Sequence, residues 1–112
     1  MKKILFVCSA NKQRSKTAED YFSENFFDLE FYSAGTNIKL CEKEGTNPLT
    51  KNELENADVI FVMESKHRTE INKVFGNKYA QKTEILHIPD IFKYYQKELV
   101  EILKRKVIYK IS

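Results

Sequence analysis

The sequence predicts an α/β fold with three layers, in which a four-stranded parallel sheet in the order 2-1-3-4 is flanked by helices. Short apolar or alternating segments of strand length recur along the chain, and helical periodicity fills the intervals between them. In a chain of 112 residues, this alternation is typical of a parallel sheet with right-handed crossovers. One domain over residues 1–112 is expected, because 42% hydrophobic residues suffice for one modest core.

Four segments are the expected strands. Residues 4–7 and 59–63 are continuous apolar runs, which suit strands covered on both faces. Residues 29–33 and 84–88 are mixed or alternating, which suits positions nearer the edges of a sheet. The first and third strands are therefore placed in the centre.

Helical periods follow the first, third and fourth strands. The apolar residues at three-and-four spacing are Ala18, Tyr21, Phe22 and Phe26, then Ile71, Val74 and Phe75, then Phe92, Tyr95, Leu99, Ile102 and Leu103. Asn47-Pro48 is typical of a cap and first-turn proline, Thr50 and Glu53 are spaced as a capping box, and Ser65 is expected to cap the next helix. Residues 36–46 are expected to form a long loop, and residues 107–112 a fraying helix end or a short strand.

Composition argues against several classes of protein. The net charge of +3 with scattered lysines gives no case for nucleic acid binding, and the cluster Lys104-Arg105-Lys106 is explained by a solvated helix face. No window approaches the length of a membrane span, and the first apolar stretch is too short for a signal peptide. Two cysteines suit a reducing cytoplasm. Because neither metal-ligand spacing nor a glycine-rich nucleotide loop occurs, no metal and no cofactor are expected.

The turn between the first strand and the first helix carries the strongest chemical signal. This turn, the Cys8 loop, is the run Cys8-Ser9-Ala10-Asn11-Lys12-Gln13-Arg14-Ser15, and it follows Val7. Successive backbone N–H groups and the positive end of the next helix can surround an oxyanion in such a turn. A sheet of the predicted order also has its switch point here, where open α/β sheets bind ligands.

The polar residues of the Cys8 loop have distinct expected roles. Cys8 is the candidate nucleophile, because N–H groups, a helix N-terminus and a guanidinium favour a thiolate, which can attack phosphorus and form a phosphocysteine. Arg14 offers a planar fork for two phosphate oxygens. The Ser15 hydroxyl is expected to donate to the Cys8 sulfur, and Asn11 to adopt a left-handed backbone conformation and brace the loop. The plain alternative is that Cys8 is a buried strand-end cysteine.

The Cys8 loop resembles the active-site signature of the low-molecular-weight protein tyrosine phosphatases, and Ser33-Ala34-Gly35-Thr36 resembles that family's next landmark. The chain is more similar to a shorter bacterial branch described as predicted protein tyrosine phosphatases, over roughly residues 3–108. The further matching segments are residues 57–64, His67-Arg68 and Ile88-Pro89-Asp90. The resemblance implies a phosphotyrosine phosphatase I-like fold.

The resemblance also implies an activity: hydrolysis of phosphotyrosine or a similar aryl phosphate in a protein or small molecule, through a phosphocysteine. Cys8 is then the nucleophile, Arg14 the phosphate ligand, and a general acid lies on the loop after the fourth strand. Asp90 is the candidate there, to protonate the leaving oxygen and then activate water. In the larger family the aspartate precedes a proline, whereas here Pro89 precedes Asp90. A helix N-cap is the alternative role for Asp90.

The chain departs from the family at three positions near Cys8. Ala10 stands for the usual glycine and would strain the loop if that position needed a positive φ. Gln13 stands for a second cysteine and Lys16 for a proline. Without a neighbouring thiol at position 13, Cys41 is the only other candidate partner for Cys8, and the alternative is an ordinary loop thiol.

Other residues near the predicted site admit two interpretations each. Lys12 and Lys16 either attract dianionic esters or are solvated surface lysines. His67 lies on the same side of the sheet as the Cys8 loop, or is a plain helix-start residue. Tyr94 and Tyr95 are candidates to wall the pocket or to be phosphorylated, although spacing places Tyr95 in the core.

Two other functions remain open at this point. An arsenate reductase on the same scaffold would need Cys41 for a disulfide relay, because the usual paired downstream cysteines are missing. A phosphate-binding module with little catalysis is suggested by Ala10, Lys16 and the inverted order of Pro89 and Asp90.

Overall fold

The computed structural model describes residues 2–111 and contains four parallel strands in the order β2-β1-β3-β4. The strands are β1 (Lys2–Cys8), β2 (Leu29–Gly35), β3 (Val59–Val62) and β4 (Thr83–Ile85). The helices are α1 (Arg14–Asn25), α2 (Ile38–Glu44), α3 (Lys51–Asn56), α4 (Ser65–Phe75) and α5 (Lys97–Ile111), with a 3-10 helix at Asn77–Lys82. The predicted fold class and strand order are confirmed.

The central strand β1 separates two apolar cores, because alternate side chains point to opposite faces of the sheet. Ile4, Phe6 and Cys8 face the core formed with α1 and α5, whereas Leu5 and Val7 face the core formed with α3 and α4. In the first core, the ring of Phe6 stacks on those of Phe22 and Phe61, with centroids 5.6 Å away in each pair. The continuous apolar composition of β1 therefore reflects burial on both faces.

The carboxyl ends of the parallel strands meet at one edge of the sheet, and this edge holds the site. Cys8 at the end of β1 pairs with Gly35 at the end of β2, and Val7 pairs with Val62 at the end of β3. The segment after β4, residues 86–96, leaves from the same edge and is called the Asp90 loop below. Four connections are thus brought together by topology alone.

The segment expected to be a long loop contains α2. Its start is fixed by Asn37, whose Oδ1 accepts from Leu40 N at 3.1 Å, and its end by Gly45, which has a left-handed φ of +71°. Cys41 is consequently a buried helical residue and not a loop thiol. The expectation of a loop over residues 36–46 was wrong, because a seven-residue helix is too short to show a clear apolar period.

Two predicted helix starts are displaced. The Thr50–Glu53 capping box is confirmed and α3 begins after it, so Asn47-Pro48 does not start the helix. Pro48 instead forms an isolated bridge with Gly35. Helix α4 begins at Ser65 as its first residue, and Glu64 rather than Ser65 is the N-cap.

The last helix begins later than its apolar spacing predicted. Phe92 and Tyr95 precede Lys97, and Tyr95 has a φ of +58°, which an α-helix cannot contain. Tyr95 is 37% exposed, so its expected place in the core was wrong.

Asp90 lies seven positions before α5 and does not cap it. Helix α5 extends to Ile111, and Ser112 lies outside the described residues. No helix within residues 2–111 has the length and apolar character needed to cross a membrane.

Candidate active site

The backbone of the Cys8 loop turns its carbonyl groups away from the site. Thr36 N donates to Cys8 O at 2.9 Å, Asn37 N donates to Ser9 O at 3.0 Å, and Thr46 Oγ1 donates to Ala10 O at 2.5 Å. In a trans peptide the next N–H group points opposite to the carbonyl. The N–H groups that follow these carbonyls therefore face the inside of the loop, where they can bind an anion.

The thiol of Cys8 lies at the base of this loop and is 3% exposed. Ser15 Oγ is 3.0 Å from Cys8 Sγ, and Asn11 Nδ2 donates to the same Oγ at 2.9 Å. The orientation of the Asn11 amide is fixed because Asn47 N donates to its Oδ1 at 3.1 Å. Because Asn11 takes one lone pair of Ser15 Oγ, the hydroxyl proton of Ser15 is available to the Cys8 sulfur.

The conformational strain expected at Ala10 is not found. Asn11 carries the positive φ in the Cys8 loop, at +54°, and Ala10 does not. Asparagine tolerates this left-handed conformation at low cost, so an alanine in place of the family's glycine leaves the loop intact.

Arg14 is the most deeply buried charged side chain of the site, with 1% exposure. Its Nη1 donates to Glu64 Oε1 at 2.5 Å and to Ile88 O at 2.8 Å. Its Nε makes no hydrogen bond within residues 2–111 and lies 3.8 Å from Asp90 Oδ1. Because buried donors are almost always paired, this orphan Nε can donate to an oxygen of a water or a bound ligand.

Glu64 and His67, from the start of α4, both contact the Cys8 loop, and the sequence had pointed only to His67 as a residue near the site. The hydrogen bond from Arg14, and then burial acting in the opposite direction, leave the pKa of the Glu64 carboxyl below its usual value. Glu64 is therefore an anion that anchors the guanidinium. His67 is fully buried, and its Nε2 lies 3.0 Å from Ser9 Oγ. His67 starts α4 in a capping box with Glu64 and also contacts the Cys8 loop, so it is more than a plain helix-start residue.

A cavity of about 90 Å³ opens between the Cys8 loop, α2 and the Asp90 loop. Its lining residues are Cys8, Ser9, Ala10, Lys12, Gln13, Arg14, Leu40 and Asp90. The side chain of Asp90 is 60% exposed. Thiol, guanidinium and carboxyl group thus line one small cavity, where a nucleophile, a donor to an oxyanion and an acid could act on the same phosphate ester. A larger cavity of about 430 Å³ includes Asn11 and Lys12 but neither Cys8 nor Arg14.

The lysines and tyrosines near the site are held by carboxylates. Lys12 lines the small cavity and pairs with Glu44 at 3.3 Å, whereas Lys16 pairs with Asp20 at 3.3 Å. Tyr94 donates to Asp20 Oδ2 at 2.5 Å, which raises the pKa of Tyr94 to about 12. Neither Tyr94 nor Tyr95 lines the cavity that contains Cys8. Their contacts tie the Asp90 loop to α1.

Cys41 lies behind the Cys8 loop. Its Sγ is 3.5 Å from Ala10 O and 3.8 Å from Ser9 O, and both cysteines are free thiols. Burial raises the pKa of the Cys41 thiol, so it stays protonated at neutral pH. Cys41 therefore packs as a small apolar residue under the loop.

Gly35 gives the clearest prediction about how the loop is supported. A Cβ at this position would lie 2.5 Å from both Cys41 Sγ and Ser9 O. We expect Gly35→Ala to displace the Cys8 loop, to weaken binding of inorganic phosphate by calorimetry, and to lower the free energy of unfolding by about 1–3 kcal/mol. Gly45→Ala is the control, because it adds backbone strain where nothing lies within 4 Å of the new Cβ. Equal phosphate affinity in both variants would contradict this role.

Comparisons with known proteins agree with the geometry. No protein-family model matches the chain, and no curated protein does. A low-molecular-weight protein tyrosine phosphatase from Bacillus subtilis is 26% identical, with a TM-score of 0.69 over 92% of this chain and 93% of that chain. The YwlE arginine phosphatase from Geobacillus stearothermophilus is 22% identical, with a TM-score of 0.70 over 94% of this chain and 90% of that chain.

A third solved structure shows a mutant YwlE arginine phosphatase with a phosphorylated active-site serine. It is 24% identical to this chain, with a TM-score of 0.67 over 92% of this chain and 91% of that chain. The strand order, the flanking helices and these superpositions agree. The chain has the fold of the low-molecular-weight protein tyrosine phosphatases.

Proposed function

We propose that this protein is a cysteine-dependent phosphatase that hydrolyses phosphotyrosine or similar aryl phosphate monoesters through a phosphocysteine. The observation that carries this proposal is that Arg14, whose buried Nε makes no hydrogen bond within residues 2–111, lines the same cavity as the Cys8 thiol. A guanidinium edge and inward N–H groups are the donors that a phosphoryl group takes. The solved phosphatases of the same fold support the proposal.

In the first step, the Cys8 thiolate attacks phosphorus, the S–P bond forms and the P–O ester bond breaks. Asp90, as a carboxylic acid, gives its proton to the leaving oxygen. Arg14 and the loop N–H groups stabilise the charge that spreads over the equatorial oxygens. Because Glu64 and Ile88 O hold Arg14 Nη1, the guanidinium is oriented before the substrate binds.

In the second step, the Asp90 carboxylate takes a proton from water, whose oxygen attacks phosphorus while the S–P bond breaks. The products are inorganic phosphate and a thiolate, which receives the hydrogen bond of Ser15 at 3.0 Å. The phosphorylated serine in the YwlE mutant supports an enzyme-bound phosphoryl group in this fold.

An aryl leaving group suits the cavity, because Leu40 supplies an apolar wall. A phenol can pack against Leu40, whereas the charged guanidinium of a phosphoarginine gains less from an apolar wall. A phosphotyrosine peptide is therefore expected to be turned over faster than a phosphoarginine peptide of the same sequence. The two free thiols suit a reducing cytoplasm as the compartment.

The two other functions have less support. The relay thiol that an arsenate reductase needs would be Cys41, but this thiol is buried and held protonated behind the loop. A module that only binds phosphate was suggested partly by strain at Ala10, and the positive φ lies at Asn11 instead.

Release of phosphate from p-nitrophenyl phosphate by the purified protein tests the proposal. Tight vanadate binding without turnover would favour the binding module.

The role of Asp90 is tested by the leaving group. We expect Asp90→Asn to reduce turnover of phenyl phosphate by about 10²- to 10⁴-fold, because the poor leaving group needs a proton. With p-nitrophenyl phosphate, the rate of the first step, transfer of the phosphoryl group to Cys8, should fall much less. Burst kinetics measure the rate of this step separately. Asp28→Asn is the matched control, since Asp28 is exposed before β2. An equal loss in the first step for both esters would exclude Asp90 as the general acid.

A further inference from the structure

His67 is a fully buried histidine whose two ring nitrogens each have one partner. Glu64 N donates to Nδ1 at 3.0 Å, and Nε2 lies 3.0 Å from Ser9 Oγ. Because Nδ1 accepts, a neutral ring carries its proton on Nε2. His67 Nε2–H therefore donates to the Ser9 hydroxyl.

The surroundings of His67 favour this neutral form. Burial, and then the positive charge of Arg14, lower the pKa of His67 to about 4. Lys66 acts in the same direction, whereas the carboxyl groups of Glu64 and Asp90 act against it. The ring consequently stays neutral at mildly acidic and neutral pH, and the tautomer is fixed by the N–H group of Glu64.

This hydrogen bond leaves the Ser9 hydroxyl free to act as a hydrogen-bond donor. A hydroxyl has one proton to donate, and one lone pair of Ser9 Oγ is already taken by His67. Within residues 2–111, His67 is the one hydrogen-bond partner of Ser9 Oγ. Ser9 also lines the cavity that contains Cys8 and Arg14. Its proton is therefore left for an acceptor in that cavity.

We propose that His67 is a positioning residue that makes the Ser9 hydroxyl a hydrogen-bond donor to the phosphoryl group held above Cys8. The inference rests on the proposed function, because it requires a phosphoryl group in the cavity. It adds one side-chain donor to the backbone N–H groups of the loop. It also gives the start of α4 two tasks, since Glu64 orients Arg14 while His67 orients Ser9.

The test is a double-mutant cycle on binding of inorganic phosphate, measured by calorimetry. Ser9→Ala and His67→Leu are each expected to weaken binding by about tenfold, the effect of one hydrogen bond to a charged group. The double variant should bind phosphate no more weakly than Ser9→Ala, because His67 acts through Ser9. His67→Gln should restore affinity, since a glutamine at this helix position can accept from Glu64 N and still donate from its amide.

A spectroscopic readout separates this role from a merely structural one. Nitrogen NMR of the imidazole should show the Nε2–H tautomer in the wild type, and its proton should exchange faster with solvent in Ser9→Ala. His87→Asn assigns the signals, because the chain has two histidines and His87 has a left-handed φ of +56° that asparagine tolerates. Its phosphate affinity should equal that of the wild type.

His67→Leu also removes the acceptor of Glu64 N and lowers stability, whereas Ser9→Ala keeps the Glu64 N–His67 Nδ1 hydrogen bond and removes only the Ser9 hydroxyl with its bond to His67. Wild-type phosphate affinity in Ser9→Ala, strictly additive losses in the cycle, or an Nδ1–H tautomer would overturn the inference while leaving the phosphatase intact. A wild type that neither binds phosphate nor hydrolyses p-nitrophenyl phosphate would overturn the proposed function as well.

Discussion

Cys8→Ser is expected to reduce turnover of p-nitrophenyl phosphate by at least about a thousandfold while phosphate binding persists. A serine hydroxyl remains protonated where a thiol ionises, so the variant lacks the attacking anion. The inward N–H groups and Arg14 are unaffected by the change, and they hold the oxyanion. Steady-state kinetics and calorimetry with inorganic phosphate measure the two effects separately.

Cys41→Ala is the matched control for Cys8→Ser. It removes the other thiol of the chain, which lies behind the loop and does not line the cavity. Most of the turnover should remain, with a modest loss of stability from the vacated volume. Comparable turnover in Cys8→Ser and the wild type would show that Cys8 is not the nucleophile. Arsenate reduction that depends on Cys41 would revive the reductase.

Arg14→Lys is expected to lower kcat by about 10²- to 10³-fold and to weaken phosphate binding. An ammonium has three N–H donors on one nitrogen. If two of them bind Glu64 and Ile88 O, at most one is left for the phosphate, whereas a guanidinium can offer two side by side. The variant should also unfold at a lower temperature, because the shorter, non-planar side chain cannot reproduce the two buried hydrogen bonds of Arg14 Nη1 with the same geometry. Kinetics, calorimetry and thermal unfolding follow these changes.

The matched control is Arg68→Lys, the same substitution on the exposed side of α4. Its kinetics and stability should match those of the wild type, since surface charges contribute little. If Arg14→Lys retained wild-type kcat and phosphate affinity, the orphan Nε would have no role in binding the substrate.

The parts of the fold that local sequence determines were predictable. Burial on both faces explains the continuous apolar composition of β1 and β3, so their central places followed from composition. The Cys8 loop was predictable as a unit because all its donors come from one run of residues. The hydrogen bonds among Cys8, Asn11 and Ser15 span only a few residues.

The contacts that complete the site were not predictable, because they join segments far apart in the chain. Arg14 and Glu64 are 50 positions apart, and Ser9 and His67 are 58 apart. Glu64 is an ordinary acidic residue after a strand, and His67 is one histidine in a polar run. Only the parallel pairing of β1 with β3 brings α4 beside the Cys8 loop.

Two helices show a different limit of sequence reasoning. The start and end signals of α2, Asn37 and Gly45, are present in the sequence, but the helix between them is too short for a distinct apolar stripe. Before α5, Phe92 and Tyr95 continue the helical spacing although the chain there is irregular. Tyr95 N donates to Thr17 Oγ1 at 2.8 Å, a tertiary contact that outweighs local spacing.

The central claim is that Cys8 accepts the phosphoryl group, and trapping that group tests it most directly. Asp90→Asn should accumulate the intermediate from p-nitrophenyl phosphate, because the leaving group departs without an acid while water lacks its base. After a rapid quench, mass spectrometry of the peptide that carries Cys8 should find phosphate on this cysteine in near-stoichiometric amount. A released phenolate with no phosphorylated cysteine, or phosphate on another residue, would contradict the account.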